Sequence, residues 1–403
     1  MTSRGRVLVV GSSLAGLRAA ETLRAEGYDG QLTILGAESH FPYDRPPLSK
    51  ELLMGEMGPE DVALPVSSEL QAEWILGDAA TRLDLGRRIV ETQSGNELRF
   101  DGVVIATGSV PRRLPSIGPD REGVLELRTI EHALELRAAL ASRPRVVLIG
   151  CGFIGVELAA AARATGADVS VVSLDPPLIV AGELVSGVCA EILADSGVRL
   201  HIGRQVAEVR GANRAEAVVL DDGTVIDADL VVVAVGARPQ TDWLAGSGLT
   251  LDDGVLCDAS CAAVGAEGVV AAGDVARWPN PLFGGLPIRV EHWTNAIEQG
   301  SAAARTLLHG PGHPTAFASV PSFWSDHFGT RLQSVGLPLL ADRTVVVDGS
   351  LQERRFVAAG YRGDELVGAT TYGMVRALVP YRATLARRQR AAVGASAAPN
   401  RQP

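Results

Sequence analysis

The sequence of 403 residues is almost without lysine, because 36 of its 37 cationic residues are arginine and the single lysine is Lys50. Aromatic residues make up 4% of the chain, and cysteine occurs only at positions 151, 189, 257 and 261. So few cysteines exclude a disulfide-rich scaffold, and since no pair has zinc-finger spacing, no metal site is predicted. A GC-rich codon preference accounts for the arginine excess but does not explain why one lysine remains.

Positive net charge and long apolar runs are missing as well. The net charge is −10, which argues against a general nucleic-acid binder. The longest apolar runs, such as residues 231–235, are too short to cross a bilayer. Residues 6–11 already form an apolar run and a glycine turn, so we expect no signal peptide. A cytoplasmic protein that binds neither nucleic acid nor membrane is therefore expected.

One pattern occurs twice in the chain: an apolar strand, a glycine turn, a helix and a second strand. The first copy comprises the strand 6–10, the turn GSSLAG at 11–16, the helix 17–26 and the strand 32–35. The second copy comprises the strand 145–149, the turn GCGFIG at 150–155, the helix 156–165 and the strand 168–172. Each copy is typical of a βαβ dinucleotide-binding unit.

Each copy is followed by another apolar strand and a glycine–proline turn, at residues 100–112 and 229–239, which indicates duplication of a whole domain. Candidate strands at 344–348, 355–361 and 366–371 predict a small antiparallel α+β domain. We therefore predict an α/β protein with two Rossmann-like dinucleotide-binding domains plus this C-terminal domain. The predicted boundaries are 1–113 with 247–315 for the first domain, 114–246 for the second, 316–390 for the third, and 391–403 for a disordered tail.

The glycine turns differ in one position. Gly150, Gly152 and Gly155 fit the pattern G-x-G-x-x-G, in which a pyrophosphate approaches the backbone at a helix amino terminus. In the first turn Ser13 replaces the middle glycine, and its hydroxyl can hydrogen-bond a phosphate oxygen. Glu38 lies where a ribose-binding acid is expected, although a solvated loop residue fits equally well. Two such folds predict two dinucleotides, and a flavin with a nicotinamide is the usual chemical pair.

Residues 41–50 read FPYDRPPLSK, which closely resembles the signature loop of the FAD-dependent ferredoxin reductases that serve cytochromes P450 and aromatic-ring dioxygenases. Further similar segments occur in that family's order across residues 6–375. These are ATG at 106–108, LRT at 127–129, GCGFIGVE at 150–157, AGD at 272–274, RVEHW at 289–293 and FWSD at 323–326. The resemblance implies a glutathione reductase-like flavoprotein fold that passes electrons from NAD(P)H through FAD to a [2Fe–2S] ferredoxin.

The resemblance also implies roles for individual residues. Lys50 and Glu157 would shape the hydride-transfer site, Asp274 would bind the ribityl chain, Trp293 would cap the pyrimidine end, and Trp324 would flank the flavin on the acceptor side. The other residues implied to hold FAD are Gly11, Ser13, Ala15, Gly16, Glu38, Arg45, Ala80, Ala106, Thr107, Gly108, Arg128, Gly273 and His292. Those implied to meet NAD(P)H are Gly150, Gly152, Phe153, Ile154, Gly155, Asp175 and Gly236.

The missing cysteines bear on the electron acceptor. Disulfide reductases and thiol peroxidases carry their redox cysteines just after the first βαβ unit. Here no cysteine precedes Cys151, so these redox cysteines are missing. The reduced flavin would therefore pass its electrons outward. An NAD(P)H oxidase or quinone reductase is an alternative enzyme, and an NADH-responsive flavoprotein resembling apoptosis-inducing factor is an alternative without enzymatic function.

Two features concern the partners. Ser173 and Leu174 stand where NADH-preferring relatives usually carry an acid, and Asp175 can replace that acid, which favours NADH without excluding NADPH. Residues 315–403 contain eleven arginines against six acids, which predicts a surface that attracts an acidic ferredoxin. A solvated basic tail helix is the alternative interpretation. Either a monomer or a homodimer is compatible with the sequence.

Overall fold

The computed structural model describes residues 5–114, 117, 121–310 and 316–396. Its helices are α1 Leu14–Ala25, α2 Glu51–Met54, α3 Ile130–Leu140, α4 Phe153–Ala164, α5 Glu183–Asp195, α6 Trp293–His309 and α7 Val379–Ser396. Its strands are β1 Arg6–Val10, β2 Gln31–Gly36, β3 Glu73–Leu76, β4 Ala80–Asp84, β5 Ile89–Thr92, β6 Glu97–Arg99, β7 Gly102–Ile105, β8 Ser109–Pro111, β9 Val124–Glu126, β10 Arg145–Ile149, β11 Asp168–Ser173, β12 Arg199–Ile202, β13 Val206–Arg210, β14 Ala217–Leu220, β15 Val225–Asp227, β16 Leu230–Val233, β17 Ala237–Pro239, β18 Val255–Leu256, β19 Val269–Ala271, β20 Ala276–Asn280, β21 Leu286–Ile288, β22 Ser322–His327, β23 Thr330–Gly336, β24 Arg343–Ser350, β25 Arg355–Arg362 and β26 Glu365–Tyr372.

The first unit is a parallel sheet of five strands in the order β19-β7-β1-β2-β3. Its central strand β1 is apolar and buried from Val7 to Val10, as expected of a strand covered on both faces. The edge strand β19 arrives from much later in the chain, after the whole second unit. The first domain is therefore discontinuous in sequence, and α6 packs beside α1 so closely that a Cβ on Gly300 would lie 2.4 Å from the carbonyl oxygen of Ala15.

The second unit repeats this arrangement with the parallel order β12-β11-β10-β16-β9. In both units a three-stranded antiparallel ribbon precedes the last central strand, β4-β5-β6 before β7 and β13-β14-β15 before β16. The strands β8 and β17, which follow β7 and β16, pair with each other and join the two units. The prediction of two Rossmann-like units is confirmed.

The helices α1 and α4 begin earlier than the sequence pattern predicts. Ser13 and Gly152 precede the first helical residues in extended backbone conformation, so each helix starts inside its glycine turn. The reason is geometric, because the last glycine of each turn, Gly16 or Gly155, is itself helical and packs against the carbonyl oxygen of the first glycine. The amino termini of both helices consequently lie at the carboxyl ends of β1 and β10, where a phosphate would be bound.

The third unit is an antiparallel sheet in the order β22-β23-β26-β25-β24 with α7 beside it. The three predicted strands correspond to β24, β25 and β26. The predicted tail is wrong at its beginning, because α7 continues to Ser396 instead of ending at Arg390. Residues 391–396 read AAVGAS, and the alanines there extend the helix at little conformational cost. Residues 397–403 lie outside the described part of the chain.

The largest apolar cluster joins the three units. It contains Tyr43 and Leu48 from the loop after β2, Val156 from α4, and Phe356 and Tyr372 from the C-terminal sheet. The contact region of the three units is therefore buried and apolar, and the signature loop lies within it. Within the described residues, every helix is too short or too polar to serve as a membrane span.

Candidate functional site

The first glycine turn is in close contact with two loops, those after β7 and β19. A Cβ on Gly11 would lie 2.0 Å from the carbonyl oxygen of Ala106, and a Cβ on Gly16 would lie 1.9 Å from the carbonyl oxygen of Gly11. Gly11 also has a φ of +119°, which side-chain-bearing residues rarely adopt. Ala15 packs against Gly273, where a Cβ would lie 3.0 Å from the methyl group. The turn, the loop after β7 and the loop after β19 thus meet at one edge of the sheet.

The second glycine turn has the same close contacts but leaves one position open. Cβ atoms on Gly150 and Gly155 would lie 2.3 Å and 2.2 Å from the carbonyl oxygens of Ala234 and Gly150, respectively. A Cβ on Gly152, in contrast, would meet no heavy atom within 4 Å. Two of the glycines are therefore required by packing, whereas the third borders open space before α4. That space suits a pyrophosphate, since backbone N–H groups point into it.

Ser13 stands in the first turn where Gly152 stands in the second. Its φ of −93° and that of Gly152, −77°, are both extended, and neither residue caps its helix through a side chain. Because the Ser13 hydroxyl does not cap α1, it can donate a hydrogen bond to a phosphate oxygen. The geometry of the two turns is therefore compatible with two dinucleotide pyrophosphates, and the Ser13 hydroxyl is not used as a helix cap.

A carboxylate follows β19 at the same sheet edge. Asp274 Oδ2 accepts a hydrogen bond from Ser109 Oγ at 2.8 Å and pairs with Arg128 Nη2 at 3.3 Å. Both charged side chains are largely buried, and the Gly273 N–H beside them donates to Gln299 Oε1 at 2.9 Å. Asp274 and Arg128, which are far apart in sequence, are thereby brought together next to the first glycine turn.

Arg45 connects the signature loop with two other segments. Its Nη2 donates to Glu38 Oε1 at 2.6 Å, and its Nη1 donates to the carbonyl oxygen of Arg128 at 2.6 Å. The Tyr43 hydroxyl donates to the other oxygen of Glu38, and burial raises the pKa of Tyr43, which keeps that hydroxyl protonated. Glu38 is therefore held by two residues of the signature loop and is not a free loop carboxylate.

Lys50 meets Glu157 in the buried space between the signature loop and α4. Lys50 Nζ lies 2.9 Å from Glu157 Oε2 and donates to the carbonyl oxygen of Pro46 at 3.1 Å. Ser49 Oγ donates to the same carboxylate oxygen at 2.5 Å, and Ser325 Oγ donates to Oε1 at 2.7 Å. The side chains of Lys50 and Glu157 are 14% and 6% exposed. Each of the three units thus provides a residue, namely Lys50, Glu157 or Ser325, to this buried ion pair and its hydrogen bonds.

Two tryptophans lie where α6 begins and the C-terminal sheet starts. The rings of Trp293 and Trp324 meet edge to face with centroids 6.2 Å apart, and Trp293 Nε1 donates to Asp44 Oδ1 at 2.8 Å. This contact ties the amino terminus of α6 to the signature loop. Trp324 belongs to the same strand, β22, as the Ser325 that contacts Glu157.

Three aromatic rings pack together next to Trp324, around its neighbour Phe323 on β22. Phe323 packs between Phe153 and His292, with centroid distances of 4.6 Å and 5.2 Å. Burial lowers the pKa of His292 to about 4, and within the described residues its Nδ1 atom is buried without a hydrogen-bond partner. A buried nitrogen without a partner is available to form a hydrogen bond with a bound ligand.

The other predicted residues lie around the two turns at different depths. The Thr107 hydroxyl donates to the carbonyl oxygen of Gln240 at 2.8 Å, which joins the loop after β7 to the loop after β17. Ala80 begins β4 and packs on the apolar cluster of the first unit. Ile154 and Asp175 are exposed, the latter just after β11. Gly108 and Gly236 have positive φ values of +66° and +93°.

The cysteines take no part in these polar contacts. All four are buried and free. Burial raises the pKa of Cys151 and of Cys257 to about 12, so these thiols remain protonated and unreactive at neutral pH. They behave as small apolar side chains in the core.

Comparison with known proteins shows which family has this arrangement of two dinucleotide-binding units and a C-terminal domain. The model of the family described as pyridine nucleotide-disulphide oxidoreductase matches residues 5–300. The chain belongs to that family. A second model, described as a reductase C-terminal domain, matches residues 322–402. The protein is therefore an oxidoreductase that uses FAD and NAD(H).

Three similar proteins cover nearly the whole oxidoreductase. Rhodocoxin reductase of Rhodococcus erythropolis is 36% identical over 376 residues, which are 92% of this chain and 87% of the relative. The ferredoxin–NAD(+) reductase component of the anthranilate 1,2-dioxygenase system of Burkholderia cepacia is 36% identical over 383 residues, 92% and 91% of the two chains. The solved covalent complex of putidaredoxin reductase with putidaredoxin matches with a TM-score of 0.89 and 28% identity, covering 98% of this chain and 99% of that one.

The structure of the oxidoreductase also reveals polar residues that sequence reasoning missed. Ser49 and Ser325 donate to Glu157, and Ser109 donates to Asp274. Two of these serines lie inside motifs already noted, at residues 41–50 and 323–326, so their position next to assigned residues was the available signal. Serine is too common in turns and strands for the residue type alone to indicate a role.

Proposed function

We propose that this oxidoreductase passes electrons from NADH through bound FAD to a [2Fe–2S] ferredoxin that supplies a cytochrome P450 or a ring-hydroxylating dioxygenase. The buried ion pair of Lys50 and Glu157, at the meeting point of three units, is the observation that carries the proposal. The names of the similar reductases support the same acceptor class. NADPH is a less suitable donor, because Asp175 follows β11 and would repel a 2′-phosphate.

The two dinucleotides divide between the two parallel-sheet units. We assign FAD to residues 1–113 and 247–315, where Gly11, Ser13, Gly16 and Asp274 surround one turn, and NADH to residues 114–246. FAD accepts a hydride and releases electrons singly, which is the chemistry that the cofactor supplies. Arg45 and Arg128 hold the loops on either side of the FAD turn together, and the dipole of α1 favours the pyrophosphate charge.

Lys50 and Glu157 orient the hydride-transfer site. Glu157 and the Pro46 carbonyl oxygen hold the ammonium group of Lys50 in place, so this residue would supply a fixed positive charge that favours negative charge on the reduced flavin. Glu157 in turn sits on the first turns of α4, directly after the nicotinamide-binding glycines. One helix thus connects the position of NADH with the position of Lys50.

The outward path for electrons runs past the C-terminal sheet. All four cysteines are buried, so no thiol offers itself as an internal acceptor, while Trp324 and Trp293 meet beside the site. We propose that an acidic ferredoxin docks near Trp324. Arg376, Arg382, Arg387 and Arg390 are exposed in the C-terminal unit and would attract it.

The residues of the proposed site all come from one chain. Either a monomer or a homodimer is compatible with this proposal. We further propose that the protein works in the cytoplasm, where NADH and oxidised ferredoxins are available.

The experiment is anaerobic stopped-flow mixing of the FAD-loaded protein with NADH, followed by addition of an acidic [2Fe–2S] ferredoxin. We expect bleaching of the flavin absorbance band in the visible range and then reduction of two ferredoxins for each NADH. Failure of the flavin to bleach with either NADH or NADPH would contradict the proposal. Rapid oxygen or quinone reduction, with ferredoxin left oxidised, would favour an oxidase or quinone reductase instead.

A further inference from the structure

A hydrogen-bond chain leads away from Glu157 into the C-terminal sheet. Ser325 and His327 alternate along β22, so both face α4 together with Phe323. Ser325 Oγ lies 2.7 Å from Glu157 Oε1, His327 Nδ1 lies 3.4 Å from Ser325 Oγ, and His327 Nε2 lies 2.7 Å from the Tyr372 hydroxyl. None of the functions assigned above uses His327 or Tyr372.

The residue spacings on α4 and β22 explain why this chain of hydrogen bonds can form. Phe153 and Glu157 are one turn apart on α4 and therefore share a face. Phe323 and Ser325 are two residues apart on β22 and share a face as well. The phenyl rings meet at 4.6 Å, and the hydroxyl meets the carboxylate at 2.7 Å, so one contact places the other.

The direction of each hydrogen bond follows from the donors present. The Glu157 carboxylate only accepts, so the single proton of the Ser325 hydroxyl points at Oε1. His327 Nδ1 must then donate to the Ser325 oxygen, which makes Nδ1 the protonated nitrogen. His327 Nε2 consequently accepts, and the Tyr372 hydroxyl donates to it.

The burial of both rings agrees with this direction. Burial lowers the pKa of His327 to about 4, an effect that the charge of Asp326 opposes and that of Lys50 adds to, so the imidazole is neutral at pH 7. Burial also raises the pKa of Tyr372, so its hydroxyl keeps the proton that it donates. His327 is 3% exposed, and Ser325 and Tyr372 are 0% exposed, so water does not compete for these bonds.

We propose that His327 is a positioning residue for hydride transfer, which aims the Ser325 hydroxyl at Glu157 and so holds that carboxylate against Lys50. The inference rests on the proposed function, since that function places the ion pair at the hydride-transfer site. A neutral Nδ1-protonated imidazole allows Ser325 only one orientation. Without it, the hydroxyl can turn away and leave Glu157 Oε1 without its donor.

The first test reads the tautomer directly and does not depend on catalysis. The FAD-bound protein, labelled with ¹⁵N in its seven histidines, is examined by NMR, with His327→Leu used to assign the signal. We expect His327 to carry its proton on Nδ1 and none on Nε2. A proton on Nε2 would overturn the proposal, even if flavin reduction were normal.

The second test separates positioning from stability. Ser325→Ala and His327→Leu should each lower the limiting rate of flavin reduction by NADH by about tenfold, with little change in the apparent Kd for NADH. His327→Asn, whose amide N–H can take the place of Nδ1–H, should restore most of the rate. Ser334→Ala is the matched control, because Ser334 is a fully buried serine of the adjacent strand β23 whose hydroxyl contacts Thr370.

The outcomes are distinguishable. Equal losses in Ser334→Ala and Ser325→Ala, or no rescue by His327→Asn in a folded and FAD-loaded variant, would overturn the positioning role. If the wild-type flavin is not reduced by NADH at all, the proposed function fails, whereas the tautomer measurement still tests the chain of hydrogen bonds.

Discussion

Replacement of the single lysine offers the sharpest test of the site. Lys50→Met removes the ammonium group but keeps the slim stem, and it leaves the Glu157 carboxylate buried opposite an apolar side chain. At 2.9 Å and an effective dielectric constant of about 20, the direct attraction of the pair is about 6 kcal/mol. After desolvation, loss of one partner of a buried pair costs about 3–5 kcal/mol of stability.

The kinetic consequence is expected to be large as well. Removal of a positioned charge that stabilises developing negative charge lowers a rate by about 10²–10³-fold. We expect Lys50→Met to slow flavin reduction by NADH to this extent in anaerobic stopped flow. Lys50→Arg keeps the charge, but a planar guanidinium differs in shape from the compact ammonium group that contacts both Glu157 and the Pro46 carbonyl oxygen, so a decrease of about tenfold is expected.

A double variant separates the kinetic role from the structural one. In Lys50→Met with Glu157→Gln, the uncompensated charge is gone, so we expect about 3 kcal/mol of the lost stability to return in urea unfolding. The rate of flavin reduction should remain low. Arg87→Met, which breaks an exposed pair with Glu97, is the control and should change neither quantity. Wild-type reduction kinetics in a folded Lys50→Met protein would refute the reasoning.

Three more predictions concern the turns, the buried histidines and the first carboxylate. Gly155→Ala should destabilise the second unit because its Cβ would lie 2.2 Å from a carbonyl oxygen, whereas Gly152→Ala should fold normally and weaken NADH binding. Thermal unfolding and NADH titration distinguish the two variants. Equal destabilisation of both would contradict the open space at Gly152. His292 and His327 have pKa values lowered by burial to about 4, so between about pH 6.5 and 4 the unfolded chain binds more protons than the folded one. Stability present above pH 6.5 should therefore be lost on acidification, by at most about 3 kcal/mol for each histidine at pH 4, and urea unfolding at pH 7 and 5 of the wild type and His327→Leu checks the sign. Asp274→Asn should weaken FAD retention by about tenfold because it removes a charge paired with Arg128. The flavin-to-protein absorbance ratio after gel filtration measures the retention, and Asp326→Asn, which breaks an exposed pair, is the control. Full retention of FAD in Asp274→Asn would exclude a role of Asp274 in FAD binding.

Much of the fold follows from local pattern. The segments 6–16 and 145–155 each combine a buried apolar strand with glycines at turn positions, and these features arise from neighbours within a short stretch of chain. The extension of α7 to Ser396 was missed, because a weakly amphipathic alanine-rich segment resembles a disordered tail in sequence. The return of residues 247–315 to the first unit was predicted, but the pairing of β19 with β7 was not, since nothing in the local sequence marks which strand it joins in the sheet.

The sequence by itself determined the two dinucleotide turns, the signature loop with Lys50 and the class of chemistry, because each depends on residue types at short spacing. Only the tertiary structure decided how these parts meet. Lys50, Glu157 and Ser325 come from three units that are widely separated along the chain, and Arg128 and Asp274 are joined in the same way. Such contacts depend on how units pack, and the direction of the hydrogen-bond chain through His327 depends on which donor is already committed to which acceptor.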